Sequence, residues 1–232
     1  ADVRKDEFLA TLSHELRNPL AALHVALVVA RMAEGKPDEL RGCLDVMHRQ
    51  VEMLSTLVDE LLDLSRITHG KVRLDLQVVE LANVLQQAID GVRPAVEEAG
   101  QELHVALPTT SVRVSGDPMR LLQVFSNLLS NATKFTPELG RIQVTTAVDV
   151  QRRIVEVRIA DNGNGIEPAE LFHIFEIFVQ SRDLEGRARG GLGIGLNVAR
   201  RLVEMHGGSV AARSAGLGKG STFTVELPLA TG

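Results

Sequence analysis

The sequence predicts an α+β chain, in which a helical hairpin completes a dimeric four-helix bundle and an α/β sandwich with a largely antiparallel sheet follows. Three observations predict it. Apolar residues recur at alternating steps of three and four through the first part of the chain, the period drops to two just after Gly70, and helical and strand-like stretches alternate from there on.

The first seam runs from about Asp6 to Glu34 through Leu9, Leu12, Leu16, Pro19, Leu23, Ala26 and Ala30, which is a coiled-coil-like pattern and predicts one long helix. A Gly35-Lys36-Pro37 break follows. Leu40, Leu44, Met47, Val51, Leu54, Val58 and Leu61 then repeat the alternation, with Asp38 close to a helix-start position. One such hairpin has too narrow a core to stand alone, so a second copy is expected to complete the bundle and the chain to be a homodimer.

After His69-Gly70, Val72, Leu74, Leu76 and Val78 alternate with polar residues as in a half-buried strand, which sets the expected domains at 1–70 and 71–232. Helical patterns at about 81–99 and 118–133 mix with strand-like runs at about 102–107, 142–149, 153–160, 208–213 and 221–227. That order reads as an α/β sandwich.

Composition narrows the function. The 232 residues are 44% hydrophobic and 24% charged with a formal net charge of −5, a soluble globular balance without the basic field that nucleic acid requires. Cys43 is the single cysteine, which excludes an internal disulfide framework and fits a reducing, cytoplasmic setting. It lies beside the seam residue Leu44 without an activating neighbour and reads as structural. The longest apolar run, Leu20 to Ala30, is interrupted by His24 and is too short for the roughly 20 residues of a membrane span. The chain opens at Ala1 directly into a charged helical pattern, so an upstream sensor domain is expected to precede it. With no tyrosine in the sequence, a tyrosine-directed autokinase is excluded.

One histidine stands out. With Leu9 and Leu16 as equivalent seam positions, His14 falls farthest from the seam, in solvent. Asn18 shares its face one turn on, Glu15 is adjacent, and Pro19 removes the backbone hydrogen bond that the Glu15 carbonyl would receive, so a bend is expected there. An exposed neutral imidazole is a competent nucleophile near neutral pH, and a neighbouring carboxylate can keep one ring nitrogen protonated so that the other presents its lone pair. His24, His48, His69, His104, His173 and His206 are scattered without metal-ligand spacing and read as surface or packing residues.

A second constellation lies farther along. Asp117-Pro118 is a good helix start, and the helix after it carries Gln123, Asn127, Asn131 and Lys134 on one polar face opposite Leu121, Leu122, Val124, Phe125, Leu128 and Leu129. Amide oxygens can join Mg²⁺ coordination, and a lysine one turn on can reach phosphate oxygens. Asp161-Asn-Gly-Asn-Gly-Ile166 follows a strand, and its glycines allow the backbone close to a ligand. An aspartate there could accept a hydrogen bond from an adenine amino group. Gly190-Gly-Leu-Gly-Ile-Gly-Leu196 opens a helix that runs to about Met205, whose unpaired N–H groups favour phosphate.

The run Phe8-Leu-Ala-Thr-Leu-Ser-His-Glu-Leu-Arg-Asn-Pro-Leu20 closely resembles the H box of sensor histidine kinases. The N box (Asn127-Leu-Leu-Ser-Asn-Ala-Thr-Lys-Phe135), the G1 box (Asp161-x-Gly163-x-Gly165-Ile166), the F box (Phe175-Glu-x-Phe178) and the G2 box (Gly191-Leu192-Gly193-x-Gly195, then Leu196) follow in that family's order. The resemblance spans essentially the whole chain. It implies a Bergerat-type ATP fold of the GHKL class, and no Walker-type Gly-Lys-Ser/Thr is present. It further implies ATP and Mg²⁺ as cofactors, His14 as phosphoacceptor and Glu15 as its general base. Asn18 takes the place that orients water in regulator dephosphorylation. Asn131 is implied as the Mg²⁺ ligand, Asn127 and Lys134 as phosphate-side contacts, Asp161 as the adenine reader, and a response-regulator receiver as the partner.

The stretch 180–189 holds Arg182, Gly186, Arg187 and Arg189 without apolar periodicity, and is expected to form a lid over ATP. Ile177 stands where the family's F box commonly has proline. Two other readings compete. A hydrolytic ATPase of the gyrase, Hsp90 or MutL type would place a water-activating glutamate where this chain has Asn127, and would leave the H-box hairpin unexplained. A pseudokinase scaffold would not need intact motifs in both domains.

Overall fold

The computed structural model describes residues 2–33, 36–68, 72–108, 110–177 and 192–230. Two long helices come first, α1 (Asp2–Met32) and α2 (Pro37–Thr68), packed on each other as an antiparallel hairpin. Pro19 lies within α1 and is buried, as is Ala26, while Leu12, Leu16, Leu23 and Ala30 are half-buried, so the predicted α1 seam faces α2.

On α2 the predicted seam splits in two. Cys43 and Leu57 are buried and Met47, Leu54 and Leu61 half-buried, whereas Leu40, Leu44, Val51, Val58 and Leu62 are exposed. Cys43 is thus within the hairpin's core and not beside it. The physical reason is that α2 is apolar over more of its circumference than its packed neighbours cover: one stripe meets α1 and the edge of the main core, and the other is left facing outward.

The α/β part begins with β1 (Gln77–Glu80), α3 (Leu81–Glu98), β2 (Glu102–Ala106), β3 (Arg113–Gly116) and α4 (Pro118–Phe135). It continues with β4 (Arg141–Asp149), β5 (Ile154–Asp161), α5 (Gly195–Met205), β6 (Ser209–Arg213) and β7 (Ser221–Pro228). The main sheet has the order β2-β4-β5-β7-β6, antiparallel except for the parallel β2–β4 pair. The expected strand from Val72 shrinks to β1, which pairs with β3 in a separate two-stranded sheet. Alternation alone could not distinguish a paired strand from an extended linker.

Each helix is placed by its apolar face. Leu81, Val84, Leu85, Ala88 and Ile89 of α3 are buried, as are Leu121, Val124, Phe125, Leu128 and Leu129 of α4 and Val198, Ala199, Leu202 and Val203 of α5. They meet the inward residues of the sheet, among them Ile142, Val144, Val155, Val157, Ile159, Val225 and Leu227. At roughly 1.5–3 kcal/mol for each large side chain so buried, this core outweighs any single polar contact described below.

Caps fix the start of α4. The Asp117 carboxylate accepts from the backbone N–H groups of Met119 and Arg120, with Pro118 in the first turn. His206 ties α5 to this cap: its Nδ1–H donates to the Leu202 carbonyl at 2.7 Å and its Nε2 accepts from Asp117 N–H at 3.0 Å. At the other end of α4, Gln101 Nε2 donates to the carbonyls of Thr133 and Thr136. The helix carrying the polar face is therefore held at both ends.

Candidate functional site

His14 sits on the solvent face of α1 and is exposed, with Glu15 half-buried beside it and Asn18 exposed one turn on. Pro19, directly after Asn18, is buried. An imidazole presented in this way is open to a phosphate donor.

The nucleotide residues converge from four segments. Asn127, Asn131, Lys134 and Phe135 are half-buried along the second half of α4. The Asn127 amide donates to the Gly195 carbonyl at 3.1 Å, which joins α4 to the first turn of α5. The Lys134 ammonium lies 5.1 Å from the centroid of the Phe135 ring.

Asp161 ends β5, and its carboxylate is held by three donors. Oδ1 accepts from the N–H groups of Gly163 at 2.8 Å and Ser221 at 3.3 Å, and Oδ2 accepts from the Ser221 hydroxyl at 2.5 Å. An Oδ2 lone pair remains to receive an outside N–H.

The G1 turn is pressed between α4 and the loop before β7. A side chain at Gly163 would come within 2.2 Å of the Phe135 carbonyl oxygen, and one at Gly165, where φ is +69°, within 2.1 Å of the Gly216 carbonyl oxygen. Asn164 N–H donates to that Phe135 carbonyl at 3.0 Å, and Gly220 N–H to the Gly163 carbonyl at 3.1 Å. Close backbone approach is the reason for glycine here.

Ile166, Leu192 and Ile194 are buried, Leu196 is half-buried, and Gly193 has a φ of +65° just before α5. Two of the expected site residues, Phe178 and Gly191, and the expected lid at 180–189 lie outside the described residues.

Gln123 shares the polar face of α4 but is turned to the hairpin: its amide donates to Asp63 Oδ2 of α2 at 2.6 Å. The polar stripe of α4 is divided, its first turns meeting the hairpin and its later turns the glycine-rich segments.

Sequence reasoning missed Ser221 and Asn197. Ser221 follows Gly220 at the start of β7 and pairs in register with Asp161, and the register is a long-range fact. Asn197 Nδ2 donates to the Phe175 carbonyl at 2.8 Å. The available signal was only a polar residue two places after the last G2 glycine.

The description "Histidine kinase-, DNA gyrase B-, and HSP90-like ATPase" belongs to the family model that matches residues 116–231, and the "His Kinase A (phospho-acceptor) domain" matches residues 4–70. The two occur on one chain in the order of the geometry above. The chain belongs to the sensor histidine kinases.

Among relatives of this histidine kinase, the circadian input-output histidine kinase CikA of Synechococcus elongatus is 36% identical over 98% of this chain and 30% of its own length. The autoinducer 2 sensor kinase/phosphatase LuxQ of Vibrio vulnificus is 34% identical over 97% of this chain and 27% of its own. The chain therefore spans less than a third of the length of these relatives. Among solved structures, full-length ShkA in complex with AMPPNP superposes with a TM-score of 0.70 at 31% identity, over 97% of this chain and 46% of that one. The α+β architecture, a helical hairpin followed by the GHKL sandwich, is the fold of this family, and the sandwich is its ATP-binding domain. Among the described residues no helix is long and apolar enough to cross a membrane.

Proposed function

We propose that this chain is the kinase core that moves the γ-phosphoryl group of ATP onto His14, with residues 1–70 as the dimerisation and phosphoacceptor domain and 71–232 as the catalytic domain. The observation that carries the reading is the exposed His14 imidazole beside Glu15, on the same chain as a restrained Asp161 in a glycine-lined site.

In this reading Asp161 accepts the adenine amino N–H, Asn127 and Lys134 border the phosphates, and the N–H groups around Gly193 and Gly195 meet phosphate oxygens. The Asn131 carboxamide oxygen is suited to Mg²⁺, which when bound neutralises phosphate charge. Among the described residues no cluster of His, Cys, Asp or Glu could hold a metal alone, which fits a cation shared between one amide and the nucleotide.

The free ring nitrogen of His14 attacks phosphorus in line, the bond to the bridging oxygen breaks, and ADP leaves with the electron pair. Glu15 holds the proton on the other nitrogen and then stabilises the charged ring. The phosphoryl group then passes to an aspartate of a response-regulator receiver docked on the hairpin, and Asn18 would orient water for the opposing phosphatase activity, in which water attacks the aspartyl phosphate and releases inorganic phosphate. The name of LuxQ, a kinase/phosphatase, supports the second activity. ATP supply and that partner set the work in the cytoplasm, downstream of a sensor domain.

The outward stripe of Leu40, Leu44, Val51 and Val58 supports a homodimer, because its burial in a four-helix bundle removes an apolar surface from water. The hydrolytic alternative lacks a base, since Asn127 is an amide already bonded to Gly195.

Incubation with Mg²⁺ and γ-labelled ATP tests the reading. Acid-labile, alkali-stable label that disappears in His14→Gln is expected, and label that persists in that variant would overturn it.

A further inference from the structure

The ATP-binding sandwich does not float free of the hairpin. Asp63, on α2, receives Arg120 Nη1 on both carboxylate oxygens at 2.9 and 3.1 Å, and the Gln123 amide on Oδ2 at 2.6 Å. Arg120 also donates to Gln123 Oε1 at 2.8 Å, so the three side chains close a ring of hydrogen bonds. Side-chain exposure is only 14% for Asp63 and 24% for Arg120, unlike the surface pairs Lys36–Glu39 and Arg141–Glu102, whose partners are more than half exposed. A second line of packing, α5 on α2, runs beside it.

The position of this ring matters for the transfer. His14 lies 21 residues before Gly35 and Asp63 lies 28 after it. In an antiparallel hairpin, Asp63 is then about two turns farther from the connection than His14, about 10 Å along the axis. Arg120 and Gln123 are rigidly joined through α4 to Asn127 and Asn131, one and two turns beyond Gln123. Holding the first turns of α4 on Asp63 therefore fixes where the nucleotide residues stand relative to His14, whose own face is left open to solvent.

We propose that Asp63, through Arg120 and Gln123, is a positioning residue that latches the ATP-binding domain at rest against α2, and that releasing this latch is a step in bringing the γ-phosphate to His14. The proposal rests on the transfer reading above. A half-buried charge held by three hydrogen bonds gives a two-state contact, formed or lost as a unit, rather than a graded one. Removing the carboxylate charge leaves Arg120 uncompensated in the interface and favours separation. Nothing in the ring belongs to the nucleotide site, so ATP affinity is independent of it.

Two measurements on the full chain test the latch: the rate of label transfer to His14 from γ-labelled ATP, and the radius of gyration by small-angle scattering. Asp63→Asn is expected to label His14 faster by about fivefold, the lower end of a typical coupling between sites, with an unchanged KM for ATP. Its radius of gyration is expected to exceed that of the parent chain. The exchanged pair Asp63→Arg with Arg120→Asp is expected to return both values toward the parent, which loss of a merely structural contact would not do. Slower labelling in Asp63→Asn, or an unchanged rate with an unchanged radius, overturns the proposal. If the parent chain takes no label at all, the transfer reading fails separately, and scattering decides the latch: an identical radius in Asp63→Asn overturns it and a larger one supports it.

Discussion

The hydroxyl of Ser221 donates to Oδ2 of Asp161 at 2.5 Å, while the backbone N–H of the same serine donates to Oδ1. Strand β7 thus holds the carboxylate at the end of β5 by two hydrogen bonds, and Gly163 supplies a third. A carboxylate so fixed has lost its rotational freedom before any ligand arrives. Ser221→Ala removes one of these bonds and lets Asp161 turn. ATP affinity is expected to fall about tenfold, corresponding to a net hydrogen bond of about 1–1.5 kcal/mol. Ser221→Thr, which keeps the hydroxyl, should bind close to the parent value in a calorimetric titration.

The G1 glycines make a steric prediction. A Cβ at Gly163 would stand 2.2 Å from the Phe135 carbonyl oxygen, which is backbone and cannot swing aside. Gly163→Ala is expected to cost about 1–3 kcal/mol of stability by overpacking, and to weaken ATP binding because Asp161 loses its Gly163 N–H when the turn shifts. Gly42 is the contrast. It lies inside α2 with open space around it, and Gly42→Ala should stabilise by about 0.5–1 kcal/mol. Denaturant melts of both variants check the pair.

Much of this was legible in the chain. The positions of α3, α4, α5 and the strands of the main sheet followed from apolar periodicity, because each buries one face and its pattern states which. The exposed placement of His14 was legible for the same reason. What could not be read was relation across distance. Asp161 and Ser221 are 60 residues apart and meet only through the β5–β7 register. Gln123 looked like its neighbours Asn127 and Asn131, and only the docking of α4 on Asp63 separates them. The strand expected from Val72 failed because alternation records half-burial and says nothing of a pairing partner.

The exposed stripe of α2 predicts an assembly. Leu44 is 55% exposed and Val51 51%, while Leu57 one face away is 4% exposed and belongs to the main buried core. Leu44→Glu with Val51→Glu places charge where a second copy would pack and leaves the hairpin seam intact. Sedimentation should show a dimer for the parent chain and a monomer for the variant, with the α/β sandwich still folded by circular dichroism. Leu57→Ala should act differently, lowering stability by about 2–5 kcal/mol through a core cavity.

Acid should loosen the sheet through Glu226. Arg152 donates to both of its carboxylate oxygens, at 3.0 and 3.1 Å, and Ser209 adds a hydroxyl at 3.1 Å. The Arg152 hydrogen bond is the largest cause that holds the Glu226 carboxyl below its ordinary 4.5, with smaller help from Ser209 and partial opposition from burial and Asp149. The folded chain therefore binds this proton less readily than the unfolded one. The stabilisation is complete above 4.5 and is lost as pH falls from there through the lower value of the folded state. Arg152 is 60% exposed, so solvent and salt screen much of the attraction and the effect is modest. Thermal melts from pH 6 to pH 3 should show the parent chain losing stability more steeply than Glu226→Gln below about pH 4.5. The two slopes should draw together at high salt, and identical slopes at low salt would mean that the pair contributes nothing to the acid limb.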